Sequence, residues 1–145
     1  MYILKAESSF DSAHFLKDYK GKCGNIHGHR WKVTIEIKGD TLNTGGNTRD
    51  MIIDFGELKA LVREITKPFD HSLIIEEGSL KETTLTALKE EDFSIITLPF
   101  RPTAERFAKY FYEQAKLKGC NVLSATVYET PANCAKYCEE DICTK

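Results

Sequence analysis

The sequence has no long hydrophobic run. No apolar stretch approaches the roughly 20 residues that span a bilayer, and Tyr2-Ile3-Leu4 near the N-terminus is too short for a secretory signal. The expectation is a cytoplasmic protein with no membrane partner. It also lacks an excess of charge of either sign. Twenty Lys and Arg stand against 22 Asp and Glu, a net charge of −2, so no global basic field points to nucleic acid. An even cysteine count is missing too: five cysteines fit a reducing compartment better than a disulfide framework. Internal repeats, low-complexity tracts and linkers are absent, and residues 1–145 read as one domain. What is present is globular material. A 41% hydrophobic and 10% aromatic content argues against disorder and is enough for a core.

The chain is organised around Cys23-Gly24-Asn25-Ile26-His27-Gly28-His29. From Arg30 to Lys38, apolar Trp31, Val33, Ile35 and Ile37 alternate with polar Lys32, Thr34, Glu36 and Lys38, the pattern of a half-buried strand. Strand side chains repeat every second residue, so His27 and His29 extend the apolar row. Two imidazoles at the mouth of such a row suit a metal. Zinc takes histidine nitrogens, and catalytic zinc commonly has three protein ligands and one open position. The plain alternative is a pair of strand histidines bonded to backbone.

Residues 2–14 read as a first strand, on which Phe10 and His14 share a parity. The connection from Leu16 to Gly24 allows a hairpin, which makes His14 the third ligand. Residues 39–50 are turn chemistry, followed by an expected short strand at Met51-Ile52-Ile53. Asp54 reads as a helix N-cap with Glu57 as its capping-box partner. Leu58, Leu61, Val62 and Ile65 carry the helix to Pro68. A weakly periodic segment at 79–91 suggests another helix, and Ser94 to Leu98 a strand. Thr103-Ala104-Glu105 opens a helix with Phe107, Tyr110, Phe111 and Ala115 inward, ending near Gly119. A last strand runs from Val122 to Thr130, with Leu123, Ala125 and Val127 on its apolar face and Glu129 on the same parity. A carboxylate on a buried row is costly unless it is paired, so Glu129 is either a site residue or already in solvent. Asp70-His71 is either a tuned pair or a turn cap beside a surface histidine. Cys134, Cys138 and Cys143 follow no standard zinc spacing, and a loosely packed tail is expected there.

These segments in this order resemble the 6-pyruvoyltetrahydropterin synthase family. The resemblance rests on Phe10-Asp-Ser-Ala-His14, Cys23-x-x-x-His27-Gly-His29, Ile53-Asp54-Phe55-Gly56-Glu57-Leu58-Lys59, Phe69-Asp70-His71, Pro102-Thr103-Ala104-Glu105 and Val127-Tyr128-Glu129-Thr130. The Cys23 to His27 spacing is similar to the bacterial branch that makes 6-carboxytetrahydropterin for queuosine. The resemblance implies an α+β tunnelling fold (T-fold), a four-stranded antiparallel sheet with helices on one side. It implies sheets joined into an oligomeric barrel, two trimeric rings stacked as a homohexamer, and active sites between subunits.

By matching motifs it implies that His14, His27 and His29 bind Zn²⁺ and that Cys23 is the general base. It assigns Asp70 and His71 to a proton relay and Glu129 to anchoring the pterin ring, with Thr103 and Glu105 near the pterin pocket. The implied reaction converts 7,8-dihydroneopterin triphosphate to 6-carboxytetrahydropterin, acetaldehyde and triphosphate. The alternatives are triphosphate elimination without side-chain cleavage, as in 6-pyruvoyltetrahydropterin synthase itself, and a non-catalytic zinc- or pterin-binding protein. The segment around 79–91 and the three-cysteine tail depart from the pattern and have no assigned role.

Overall fold

The computed structural model describes residues 1–139. The elements are β1 (Tyr2–His14), β2 (His27–Gly39), α1 (Phe55–Thr66), β3 (Ser72–Glu76), α2 (Glu82–Glu90), β4 (Ile95–Leu98), α3 (Ala104–Leu117), β5 (Val122–Thr130) and β6 (Asn133–Tyr137). They form an α+β domain around one sheet in the order β4-β3-β1-β2-β5-β6. The sheet has six strands where four antiparallel ones were expected, and it is mixed. β3 runs parallel to β1, and β4 parallel to β3.

The β1–β2 hairpin is the axis of the fold. Its register pairs Phe10 with Trp31 and His14 with His27. Period-2 alternation then puts Ala6, Phe10 and His14 on the same buried face as Trp31, Val33 and Ile35. α1 and α3 cover that face. α1 contributes Leu58, Val62 and Ile65, and α3 contributes Phe107, Ala108, Phe111, Tyr112 and Ala115. Phe10 sits among the rings of Trp31, Phe69, Phe107 and Phe111, with centroids 5.6–6.5 Å away. Burial of such side chains stabilises by roughly 1.5–3 kcal/mol each, which is why the hairpin's apolar row and the helices form one unit.

Three local expectations are corrected. Met51-Ile52-Ile53 is not a strand but a bend leading into α1. There Asp54 does cap the helix, accepting from Gly56 N–H at 2.6 Å. On β5, Glu36 pairs with Ser124 and Ile37 with Val122, so Leu123 is the extra residue of a β-bulge. Val122 takes the core position that parity assigned to Leu123, while Ala125 and Val127 stay buried. Third, the tail is not loose at its start. Residues 133–137 form β6, paired to β5, and Lys136 Nζ reaches Glu36 Oε2 at 2.7 Å. Cys134 lies in β6 and Cys138 just after it, whereas Cys143 lies outside the described residues. The helix expected at 79–91 is present as α2, but none of its residues is buried. Among the described residues no helix is long and apolar enough to cross a membrane.

Candidate metal centre

β1 ends on His14 and β2 begins on His27, and these two are register partners. His29 is the next residue on the same face of β2. β5 lies on the other side of β2, and Glu129 near its end comes up beside them. One ligand atom from each of His14, His27, His29 and Glu129 lies within 4.8 Å of all the others. His14 is almost fully buried, while the other three are half-buried.

The hydrogen bonds fix the tautomers. His14 Nδ1 is 2.8 Å from the Pro102 carbonyl oxygen, and His27 Nδ1 is 2.7 Å from the Asn25 carbonyl oxygen. A carbonyl only accepts, so each Nδ1 carries the proton. In the neutral rings each Nε2 is then a bare lone pair. Yet the His14 and His27 Nε2 atoms face each other at 3.1 Å. Two acceptors at that distance need something positive between them. His29 Nε2 is buried and makes no aligned hydrogen bond, although Glu129 Oε1 is only 2.9 Å away. Glu129 Oε1 is 3.5 Å from His14 Nε2. Ligands about 2.0–2.1 Å from a tetrahedral zinc stand roughly 3.3 Å apart. The observed separations match that spacing, so the donor set fits a divalent cation. Backbone carbonyls holding Nδ1–H are the outer contacts that usually orient metal-ligating histidines.

The electrostatics agree. Burial lowers the His14 pKa below its ordinary 6.5, against a raising contribution from the Pro102 hydrogen bond. Burial also lowers that of His29, with Glu129 opposing. Neutral imidazole is the form a metal requires.

A cavity of about 270 Å³ opens over the centre. It is lined by His14, Cys23, Thr103, Glu105, Glu129 and Cys134, among others. The structure thus brings together seven of the nine residues read from the sequence. His27 and His29 join through the ligand cluster, and the other five line the cavity. Cys23 belongs to the cavity wall and not to the metal-capable group, and its thiol is free. Thr103 is the N-cap of α3, accepting from Arg106 N–H at 3.4 Å, and Glu105 stands in the first turn of that helix.

Asp70 and His71 are not in this cavity. They are a genuine pair: Asp70 Oδ2 lies 2.9 Å from His71 Nδ1. The other carboxylate oxygen, Oδ1, accepts from Asp11 N–H at 2.8 Å, and that bond is the main cause holding the Asp70 carboxyl below its ordinary range. His71 adopts a left-handed φ of 56° and donates its own N–H to the Asp11 carbonyl at 2.7 Å. Its side chain is 80% exposed, and it borders a separate cavity of about 470 Å³ with Asp11, Ser12 and Ile26.

Two contributions escaped the sequence. The Pro102 and Asn25 carbonyls leave no side-chain signature. Glu129 was read as a site residue from its costly place on a buried row, though its nearness to the histidine nitrogens was not. Cys134 enters the cavity only because β6 folds back on β5.

Comparison with known proteins finds relatives along nearly the whole chain. A 6-carboxy-5,6,7,8-tetrahydropterin synthase of Haemophilus influenzae is 35% identical over 142 residues, covering 96% of this chain and 100% of that protein. The crystal structure of an uncharacterized protein from Wolinella succinogenes superposes with a TM-score of 0.76 at 21% identity, over 96% of this chain and 98% of the other. A catalytic-residue mutant of 6-pyruvoyltetrahydropterin synthase from Plasmodium vivax superposes with a TM-score of 0.68 at 26% identity, over 94% and 96% of the two chains. The family profile described as 6-pyruvoyl tetrahydropterin synthase matches residues 3–140. With a sheet-and-helix frame that converges three histidines from one hairpin, and relatives aligned along nearly its whole length, the chain belongs to the 6-pyruvoyl tetrahydropterin synthase family.

Proposed function

We propose that the protein is a zinc-dependent lyase that converts 7,8-dihydroneopterin triphosphate and one water to 6-carboxytetrahydropterin, acetaldehyde and triphosphate, in the route to queuosine. The observation that carries this reading is the pair of facing Nε2 lone pairs of His14 and His27, set under a cavity that also holds Cys23 and Glu129. His14, His27 and His29 hold the metal. When bound, Zn²⁺ supplies Lewis acidity toward the substrate's side-chain oxygens.

Cys23 takes a proton from a side-chain carbon of the substrate. It is free, half-buried and beside the histidines without filling a ligand position. Glu129 accepts paired N–H bonds from the guanidine-like edge of the pterin, a planar recognition suited to a carboxylate. Thr103 and Glu105 shape the wall on which the ring lies. Asp70 orients His71 through Nδ1 and leaves Nε2 to carry protons.

A single chain puts Cys23 and His71 on different cavities. The reading therefore includes assembly, with the site completed between subunits of a homo-oligomer, a hexamer of two stacked trimers. β4 and β6 are the unpaired edges of the sheet among the described residues, and open edges call for cover. The relatives' names support the carboxy product over the pyruvoyl one.

The test is the product. Incubated with dihydroneopterin triphosphate, the metal-loaded protein should release acetaldehyde and a pterin with the mass of the carboxy compound. A pyruvoyl product retaining the side chain would assign the other branch. Bound pterin with no turnover would leave a binding protein.

A further inference from the structure

The loop that brings Cys23 to the cavity is strongly basic. It reads Leu16-Lys17-Asp18-Tyr19-Lys20-Gly21-Lys22-Cys23-Gly24. Three lysines stand against one aspartate, in a chain whose net charge is −2. Leu16, Tyr19 and Cys23 line the cavity over the metal centre, while Lys17, Lys20 and Lys22, their neighbours along the loop, are exposed. Lys17 makes only a 3.9 Å contact with Asp18. Lys20 and Lys22 have no carboxylate partner among the described residues.

The loop is fixed in shape. Leu16 N–H donates to the Cys23 carbonyl at 2.8 Å, and Gly24 N–H to the Gly21 carbonyl at 3.0 Å. Asp18 takes a left-handed φ of 60°, and a side chain at Gly24 would meet the Tyr19 carbonyl oxygen at 2.7 Å. Arg101, from the segment that leads to Thr103, donates through Nη2 to the Lys17 carbonyl at 2.5 Å. It ties the loop to the segment that precedes Thr103 and adds a fourth cation.

The cavity is therefore polar in a directed way. Its lining carries the carboxylates Glu105 and Glu129, which accept from N–H groups and repel anions. The loop along one side of it carries the cations, and Lys20 and Lys22 have no carboxylate partner among the described residues. A ligand with a donor-rich neutral ring at one end and a polyanion at the other fits in one orientation only. Resting on the pterin triphosphate reading, we propose that loop 16–24 is the polyphosphate subsite, with Lys20 and Lys22 binding the phosphates and Arg101 fixing the loop. Lysine acts here as a mobile point charge on a flexible stem. Unpaired surface cations on a loop that lines a cavity also raise the local concentration of an anionic substrate.

The test separates the two ends of the ligand. Metal-loaded protein is titrated calorimetrically with the magnesium complex of inorganic tripolyphosphate and, separately, with neopterin, which has the ring and side chain but no phosphate. The Lys20→Ala/Lys22→Ala double variant should bind tripolyphosphate about tenfold more weakly or worse, the scale of a lost charged hydrogen bond. Its neopterin affinity and metal content should be unchanged, which also reports that it is folded. Wild-type tripolyphosphate affinity should fall as salt is raised. Lys59→Ala/Lys67→Ala, which removes the same charge at α1, should change neither titration. Equal tripolyphosphate affinity in wild type and the Lys20/Lys22 variant overturns the proposal, as does an equal loss in the α1 control. Failure of wild type to bind neopterin overturns the pterin reading instead, and is seen separately from the anion titration.

Discussion

His29 Nε2 and Glu129 Oε1 lie 2.9 Å apart, yet the nitrogen makes no aligned hydrogen bond. The carboxylate therefore stands where it can serve either the metal or the pterin. With three histidines sufficient for zinc, Glu129→Gln should keep one metal per chain and lose neopterin affinity, because the amide presents a donor where an acceptor is needed. Metal analysis alongside a pterin titration decides it. Metal lost with pterin affinity retained would make Glu129 a ligand.

The histidines themselves are tested by metal content. His14→Ala, His27→Ala and His29→Ala should each hold sharply less zinc while far-ultraviolet circular dichroism stays near wild type. The hairpin is secured by Phe10 and Trp31 below the site, so the fold should survive loss of the metal. Full zinc retention in all three variants would remove the centre.

Cys23 is the proposed base. Cys23→Ala should keep zinc and neopterin binding, and turnover should fall by about 10²–10⁴, the usual range for a positioned general acid or base. Cys23→Ser should fare little better, a hydroxyl being far less acidic than a thiol. Zinc lost along with activity would instead assign the thiol to the metal, and wild-type turnover would exclude it from the chemistry.

The metal-free protein should lose stability on acidification. Burial lowers the pKa of His14 and His29 from 6.5. Above that value both folded and unfolded chains are neutral at these positions. Below it the unfolded chain takes up protons that the folded chain resists, so unfolding gains proton uptake and stability falls as pH drops from about 6.5 toward the lowered folded values. Thermal melts of chelator-treated protein between pH 8 and pH 5 should show the decline, and His14→Gln should flatten it. A melting temperature independent of pH in that range would contradict the burial argument.

The hairpin and the three histidines were legible because period-2 alternation is local: Trp31, Val33, Ile35 and Ile37 announce the face on which His27 and His29 must lie. Helices α1 and α3 were legible for the same reason, through apolar spacing and the caps Asp54 and Thr103. β3 and β6 were not. Leu73-Ile74-Ile75 is a short apolar run whose parallel pairing with β1 joins residues about sixty positions apart, and no local pattern encodes such a partner. The five residues of β6 look polar until β5 supplies their hydrogen bonds. The Leu123 bulge shifts parity by one, which a sequence pattern cannot reveal when both Val122 and Leu123 are apolar.

Asp70-His71 and Cys23 lead to the last prediction. Within one chain His71 and Cys23 border different cavities, although the proposed proton transfers need both. If the site is built between subunits, a Cys23 from one chain works with a His71 from another. Cys23→Ala and His71→Ala should each lose most of their turnover alone. Co-expressed with different tags and purified through both, the mixed oligomer should recover part of the wild-type turnover, because some interfaces then join two intact partners. Light scattering should show the same oligomer for wild type, both variants and the mixture. Recovery from the mixed species, and none from the separately purified variants kept apart, places the site across the interface. A mixed oligomer with no recovered activity would put both groups in one chain, and a monomer at micromolar concentration would leave His71 without a thiol to serve.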